Sequence, residues 1–253
     1  MTTFNQTLTF TSGQNSFMTR VDTKAEPQAS GKHESMLRRY LSPAPQFELV
    51  GSKHPERAEA EQFIAERYSA AYHANVSHFL PWFLTLRCLG GISGVAGMRP
   101  ADSTPLFLEN YLDQPLEALL AGHSGENVER TSIVEIGNLA AAQRGASHIL
   151  FLLFTSLLHR AGYEWITFTA TKALRNNLEK LGFPLITLKE ADISRLDADE
   201  RATWGSYYDT APLVMAGRLS TAMDIIQSRP LLRRVLRMYR YRINVLAEEL
   251  RGR

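Results

Sequence analysis

Apolar positions along the chain fall into two spacings, one helical and one strand-like. Phe63, Ile64, Tyr68, Ala71 and Tyr72 recur at the interval of a single helix face. With Pro55 suited to a first turn, they predict a helix over 56–73. Phe47–Val50 reads as a short strand that ends at Gly51-Ser52. Trp82–Arg87 and Ile92–Met98 are joined through Leu89-Gly90-Gly91 and predict a hairpin. A helix is expected over 112–121, with Gly122 past its end. From position 133 the pattern becomes a strand at 133–140, a strongly apolar helix at 147–161 closed by Gly162, and a strand at 165–171. A helix over 172–181 closed by Gly182 and a strand at 183–188 follow. Residues 207–209 and 214–216 are expected to form a last antiparallel pair.

The two ends differ from this middle. Residues 1–46 are rich in Thr, Ser, Gln and Asn without a steady period and read as a disordered leader. A short helix at Met36–Leu41 is ended by Pro43 and Pro45. Residues 219–253 predict one or two helices split by Pro230. Within 229–253, eight Arg stand against two Glu, and Leu231, Leu232, Val235, Leu236, Tyr239, Ile243 and Leu246 lie at helical spacing. Such a basic amphipathic helix has three readings: contact with anionic lipid at a membrane periphery, reception of an acidic carrier protein, or an apolar face packed on the domain. The expected division is a leader at 1–46, an α/β domain at 47–218 and a helical extension at 219–253.

Composition narrows the classes. The 253 residues are 44% hydrophobic and 21% charged, which is enough to build a sizeable core. A formal net charge of +2 gives no general affinity for polyanions, so no nucleic-acid partner is expected. Cys88 is the single cysteine, which excludes an internal disulfide and a cysteine-rich zinc site. His123, His148 and His159 show no shared ligand spacing, and no metal is expected. Residues 1–46 lack the apolar run of a secretory signal, and no stretch reaches the ~20 apolar residues of a membrane span. A cytoplasmic location is expected.

The unit at 133–188 carries the candidate chemistry. A crossover helix between its first two strands implies that they run parallel. Parallel strands that part leave a slot, and the helix starting near Gly145 directs free N–H groups toward it, a ready phosphate site. Glu135 sits among apolar neighbours, where desolvation raises a carboxyl pKa.

The residues here resemble a known superfamily. Glu135-Ile136-Gly137-Asn138-Leu139-Ala140, then Gln143-Arg144-Gly145-Ala146-Ser147, then Glu179-Lys180-Leu181-Gly182-Phe183, are similar to the core of the GNAT-type N-acyltransferases. The resemblance implies a GNAT-like mixed sheet flanked by helices. Acyl-coenzyme A pyrophosphate would be held on the glycine-bearing loop, and pantetheine between the splayed strands. His78-Phe79-Leu80-Pro81-Trp82, Phe107-Leu108-Glu109-x-Tyr111-Leu112, Phe168-Thr169-Ala170-Thr171 and Trp204-Gly205-Ser206-Tyr207-Tyr208 look like the thermostable hemolysin family. The strand at 135–140 also resembles that of acyl-homoserine lactone synthases, which take acyl groups from carrier proteins. Three positions depart from the acetyltransferase pattern: Ala142 opens the loop motif, Leu178 replaces a tyrosine that commonly protonates the leaving thiolate, and Thr171 replaces an asparagine. These changes suit a carrier-protein donor or a repurposed fold better than ordinary acetyl transfer.

Roles follow, each beside a structural alternative. Glu135 is the candidate base or acceptor-binding carboxylate, or else a carboxylate on the solvent face or a structural partner of an Arg. Asn138 positions the pantetheine or carbonyl, or caps a strand end. Leu139, Ala140, Arg144, Gly145, Ala146, Ser147 and Thr171 form the expected donor site, with Arg144 as the phosphate-holding cation. His78, Trp82 and Phe168 are expected at the acceptor or acyl pocket, or at the edge of the core. Tyr207 and Tyr208 stand in for the missing proton donor, or simply pack a turn. The first function is transfer of an acyl group from acyl-CoA or an acyl carrier protein to a small amine-bearing acceptor such as an amino acid. A hemolysin acting directly on lipid and a non-catalytic thioester sensor remain as alternatives.

Overall fold

The computed structural model describes residues 45–252, apart from position 143 and the side chain of Arg144. The expected helix at 36–41 and nearly all of the expected leader lie outside the described residues. Gln46, placed in that leader, instead opens the first strand.

Seven strands form one mixed sheet in the order β1-β2-β3-β4-β5-β7-β6. Strand β1 (Gln46–Val50) leads into helix α1 (Arg57–Tyr72), then β2 (Trp82–Cys88) and β3 (Gly91–Pro100). Leu89 and Gly90 both take positive φ, 55° and 83°, which is the twist that joins β2 and β3 tightly. A 3₁₀ turn at Phe107–Tyr111 and helix α2 (Leu116–Ser124) precede β4 (Ile133–Ala141). Helix α3 (Arg144–Ala161), β5 (Trp165–Ala170), α4 (Lys172–Lys180) and β6 (Ile186–Glu190) continue the chain. Helix α5 (Ala198–Thr203), a 3₁₀ turn (Tyr207–Thr210), β7 (Leu213–Arg218), α6 (Leu219–Ser228) and α7 (Pro230–Arg251) complete it.

Several expectations shift. The helix expected at 112–121 starts later, because Pro115 caps α2; that helix runs through Gly122 and ends at Gly125 in the left-handed region. The strand expected at 183–188 starts only at Ile186, after Pro184. Residues 207–210 wind into a 3₁₀ turn rather than pairing, and β7 lies between β5 and β6, antiparallel to both. The aromatic segment 204–208 is thereby freed from the sheet and stands over its face.

Strand alternation sorts the side chains into layers. Ile133, Val214 and Ala216 meet α2 and its neighbouring turns, while Val50, Phe83, Val95 and Ala140 meet α1. On the opposite face Val134, Ile136, Phe168 and Met215 pack under α3. Helices α6 and α7 pack against α3, and Val235, Tyr239, Ile243, Leu246 and Leu250 of α7 belong to that same core. The C-terminal helices therefore share a core with the sheet.

Candidate functional site

The parallel pair β4–β5 is joined only from Ile133↔Trp165 to Ile136↔Phe168. Beyond that point β4 continues to Ala141 and β5 to Ala170 without pairing. The cause lies on the other side of β4. There, Val95 faces Ala140 and Gly97 faces Gly137, so Asn138 and Leu139 together stand opposite Ala96. This bulge bends the strand away from its parallel neighbour. Asn138 takes φ 47°, a left-handed conformation that Asn tolerates better than most residues.

The bulge is locked by the segment that crosses it. The Leu80 N–H donates to Asn138 Oδ1 at 2.8 Å. Arg57 donates to the carbonyls of Leu80 and Pro81 at 2.8 and 3.2 Å, and its guanidinium lies 3.8 Å from the Phe83 ring centre. A Cβ on Gly137 would stand 2.9 Å from Leu80 Cδ1, so the absence of a side chain there lets the crossing segment sit close.

Two cavities open on the divergence. One, of about 210 Å³, lies in the slot between the parted strands and is lined by Leu139, Ser147, Phe151, Phe168, Thr171 and Asn177 among others. The second, of about 300 Å³, lies on the α1/α2 face, among His78, Arg99, Phe107, Glu135, Asn138 and Trp204. Tyr68, Ile136, Gly137, Thr169 and Tyr207 line both. The slot and the side cavity thus meet at one point, where the β4–β5 ladder ends.

Glu135 is 4% exposed. Its carboxylate accepts the Leu108 N–H at 3.0 Å and the Phe107 N–H at 3.2 Å, which are free amides of the 3₁₀ turn. Burial raises its pKa, while those two amides and nearby Arg99 oppose the rise. The turn is fixed from behind. Arg130 grips both oxygens of Glu109 at 2.7 Å and reaches Glu117 at 2.9 Å, and Glu109 accepts the Leu106 N–H. The Arg130 guanidinium holds the Glu109 carboxyl below its ordinary range.

Aromatic rings close the cavity. Tyr207 lies between Tyr68 and Trp204, and the Tyr208 hydroxyl bonds to that of Tyr111. Gly205, with φ 50°, makes this possible, because a Cβ there would stand 2.2 Å from the Tyr72 carbonyl. The Ser206 N–H donates to that same carbonyl at 2.8 Å, tying the segment to the end of α1. Burial pushes the Tyr208 phenol up to about 12 and those of Tyr207, Tyr111 and Tyr68 higher, so all four are protonated at neutral pH. The Tyr207 hydroxyl donates to the Thr169 carbonyl at 3.4 Å, and the Leu139 N–H bonds to the Tyr68 hydroxyl.

The expected site residues separate into three groups. His78, Glu135, Asn138, Tyr207 and Tyr208 converge on the side cavity, and Leu139, Ser147, Phe168 and Thr171 on the slot. Thr171 also caps α4, accepting the Leu174 N–H at 3.3 Å. Three others line neither: Trp82 packs over Gly51, Ala140 faces α1 and Ala146 lies in the main core. Gly145 is buried in the first turn of α3, and the Arg144 side chain lies outside the described residues. Sequence reasoning missed Tyr68, Arg99, Phe107, Tyr111 and Trp204 as lining residues. Phe107, Tyr111 and Trp204 stand in the motifs quoted above, and Tyr68 was taken only as a helix-face position. Arg99 faces Glu135 across the β3–β4 ladder. Among the described residues no cluster of His, Cys, Asp or Glu is arranged to hold a metal ion, and no helix is long and apolar enough to cross a membrane.

This is an α/β protein: a mixed sheet flanked by helices, whose parallel pair β4–β5 is parted by a bulge, with a cavity beside the opening. Residues 50–223 match the thermostable hemolysin family, and the chain belongs to that family. No curated protein matches the chain. Among solved structures, the acyl-homoserine lactone synthase LasI is similar at 11% identity, over 70% of this chain and 90% of its own, with a TM-score of 0.48. FeeM, an N-acyl amino acid synthase from uncultured soil microbes, is similar at 13% identity over 75% and 98%, with a TM-score of 0.49. BjaI, a CoA-dependent acyl-homoserine lactone synthase, is similar at 12% identity over 73% and 89%, with a TM-score of 0.47.

Proposed function

We propose that the chain transfers an acyl group from a phosphopantetheine thioester, borne by coenzyme A or a carrier protein, to a small amine such as an amino acid. The carrying observation is the junction of two cavities at the point where β4 and β5 part. The slot suits a narrow arm, and the side cavity suits a compact acceptor. The first turn of α3, bearing Ser147, supplies amide N–H groups at the slot for a phosphate. Arg99, in the side cavity, is the cation for an acceptor carboxylate.

In the reaction the amine nitrogen attacks the thioester carbonyl. A C–N bond forms, the C–S bond breaks, and the released thiolate takes a proton. Glu135 receives the proton lost by the amine; burial makes its carboxylate a stronger base than an exposed one. Tyr207, at the junction and protonated, returns a proton to the sulfur. Its position offers what Leu178, buried in the main core, does not.

The test is thiol release from acyl-CoA and acyl-pantetheine in the presence of an amine panel, with the amide identified by mass spectrometry. Amide formation that falls about 100-fold or more in Glu135→Gln is expected. Thioester binding without thiol release from any donor would defeat the reading in favour of a sensor. Leakage of dye-loaded liposomes without any donor would favour direct action on lipid.

A further inference from the structure

We propose that the first half of α7 is the docking surface for a small acidic carrier protein that delivers the acyl thioester to the slot. The proposal rests on the donor chemistry above, and it concerns a helix that lies beyond residues 50–223 matched by the family.

The position of α7 follows from strand register. Phe47 pairs with Leu86, Leu86 with Gly94, and Gly94 with Ala141, so Phe47 lies level with the end of β4, just before α3 begins. Tyr239 packs on Phe47 with ring centres 5.4 Å apart, and Arg242 donates to the Phe47 carbonyl at 3.2 Å. At its far end, Arg251 donates to the carbonyl of Arg160 in the last turn of α3. The two helices therefore run in the same direction. In the first half of α7, Tyr239 lies level with the end where α3 starts and the strands part, the end where a phosphate-bearing arm must enter, while Arg229, just before Pro230, sets its guanidinium against Gly182 past the other end of α4.

That half of the helix presents Arg233, Arg234, Arg237 and Arg240, all exposed, and none forms an ion pair with a described residue. Met238 and Tyr241 among them are 57% and 82% exposed. The charge runs against the helix: cations crowd its N-terminal half while Glu248 and Glu249 stand near its C-terminus. The macrodipole disfavours that order, so the arrangement is poor for an isolated helix and well suited to an acidic partner. An apolar centre ringed by arginines is the composition of a protein-docking patch. The packed face of α7 is already used by the core, which leaves only this outer face for a partner.

The test uses the full-length protein and its charge reversal Arg234→Glu/Arg237→Glu. Binding of a bacterial apo-acyl carrier protein, which lacks the arm, is measured at low and high salt. KM is measured for acyl-carrier protein and for acyl-pantetheine. The expected result is salt-sensitive binding that the reversal weakens at least about tenfold, with the selectivity for the carrier-borne donor falling by a similar factor. Apo-carrier binding that is absent, or indifferent to the reversal, overturns the proposal. So does binding to phosphatidylglycerol vesicles that the reversal abolishes while carrier binding is unmoved. If neither donor releases thiol, the proposed reaction fails, yet apo-carrier binding still decides the docking surface.

Discussion

The carboxyl of Glu135 is held between opposing demands: burial favours its neutral form, and the amides of Phe107 and Leu108 favour its charged form. Burial dominates, so its folded pKa stands above the ordinary 4.5. A carboxyl raised by folding stabilises the fold below the unfolded pKa, and that contribution is lost as pH rises through the folded pKa. Thermal stability should therefore decline as pH rises past 4.5 and through the raised folded pKa, and this component should vanish in Glu135→Gln. Thiol release should rise over the same window as the base ionises, so stability and activity profiles would move in opposite directions. At Asn138 the side chain and the backbone are both in use. Asn138→Ala keeps the strained φ and strands the Leu80 N–H, which should cost about 2–4 kcal/mol in chemical denaturation. Asn138→Gly relieves the strain and should cost less. If the two cost the same, the backbone part of this account is wrong.

At the scale of elements, the site depends on pieces that hold one another at a distance from the chemistry. Gly205 lets the aromatic segment meet the end of α1. Gly205→Ala forces a Cβ into the Tyr72 carbonyl and should destabilise by about 2–4 kcal/mol. It should also raise the acceptor KM, because Trp204, Tyr207 and Tyr208 must shift. The slot is a separate test. Ser147→Trp should block donor binding while circular dichroism and the melting temperature remain near those of the parent, since Ser147 lines a cavity rather than the core. The strands and helices of 133–170 were legible in the sequence because each is a short run with a clean period. Residues 207–209 were misread because an apolar pair of tyrosines resembles a strand end. Only the packing with Tyr68 and Tyr111, each from another element, shows them to be the cavity wall.

For the whole molecule, the last helix is a structural part of the domain. Ile243 is buried in the α3 core, and Ile243→Ala should cost about 2–5 kcal/mol. Removing 230–253 takes away Val235, Tyr239, Leu246 and Leu250 as well, which uncovers Phe47 and the apolar side of α3, and should give an insoluble product, as sedimentation would report. The helical period of 231–246 announced an apolar face, but nothing in the sequence said which surface it would cover. Arg99 was hidden for a like reason: its partner in space, Glu135, is set by ladder register, which a single chain pattern does not encode. The bulge has one more effect across the layers. Before it, even-numbered residues Val134 and Ile136 look toward α3; after it, Ala140 looks toward α1. One surplus residue inverts the parity of the strand, so a ruler of alternate positions laid along β4 from either end assigns the other half to the wrong side of the sheet.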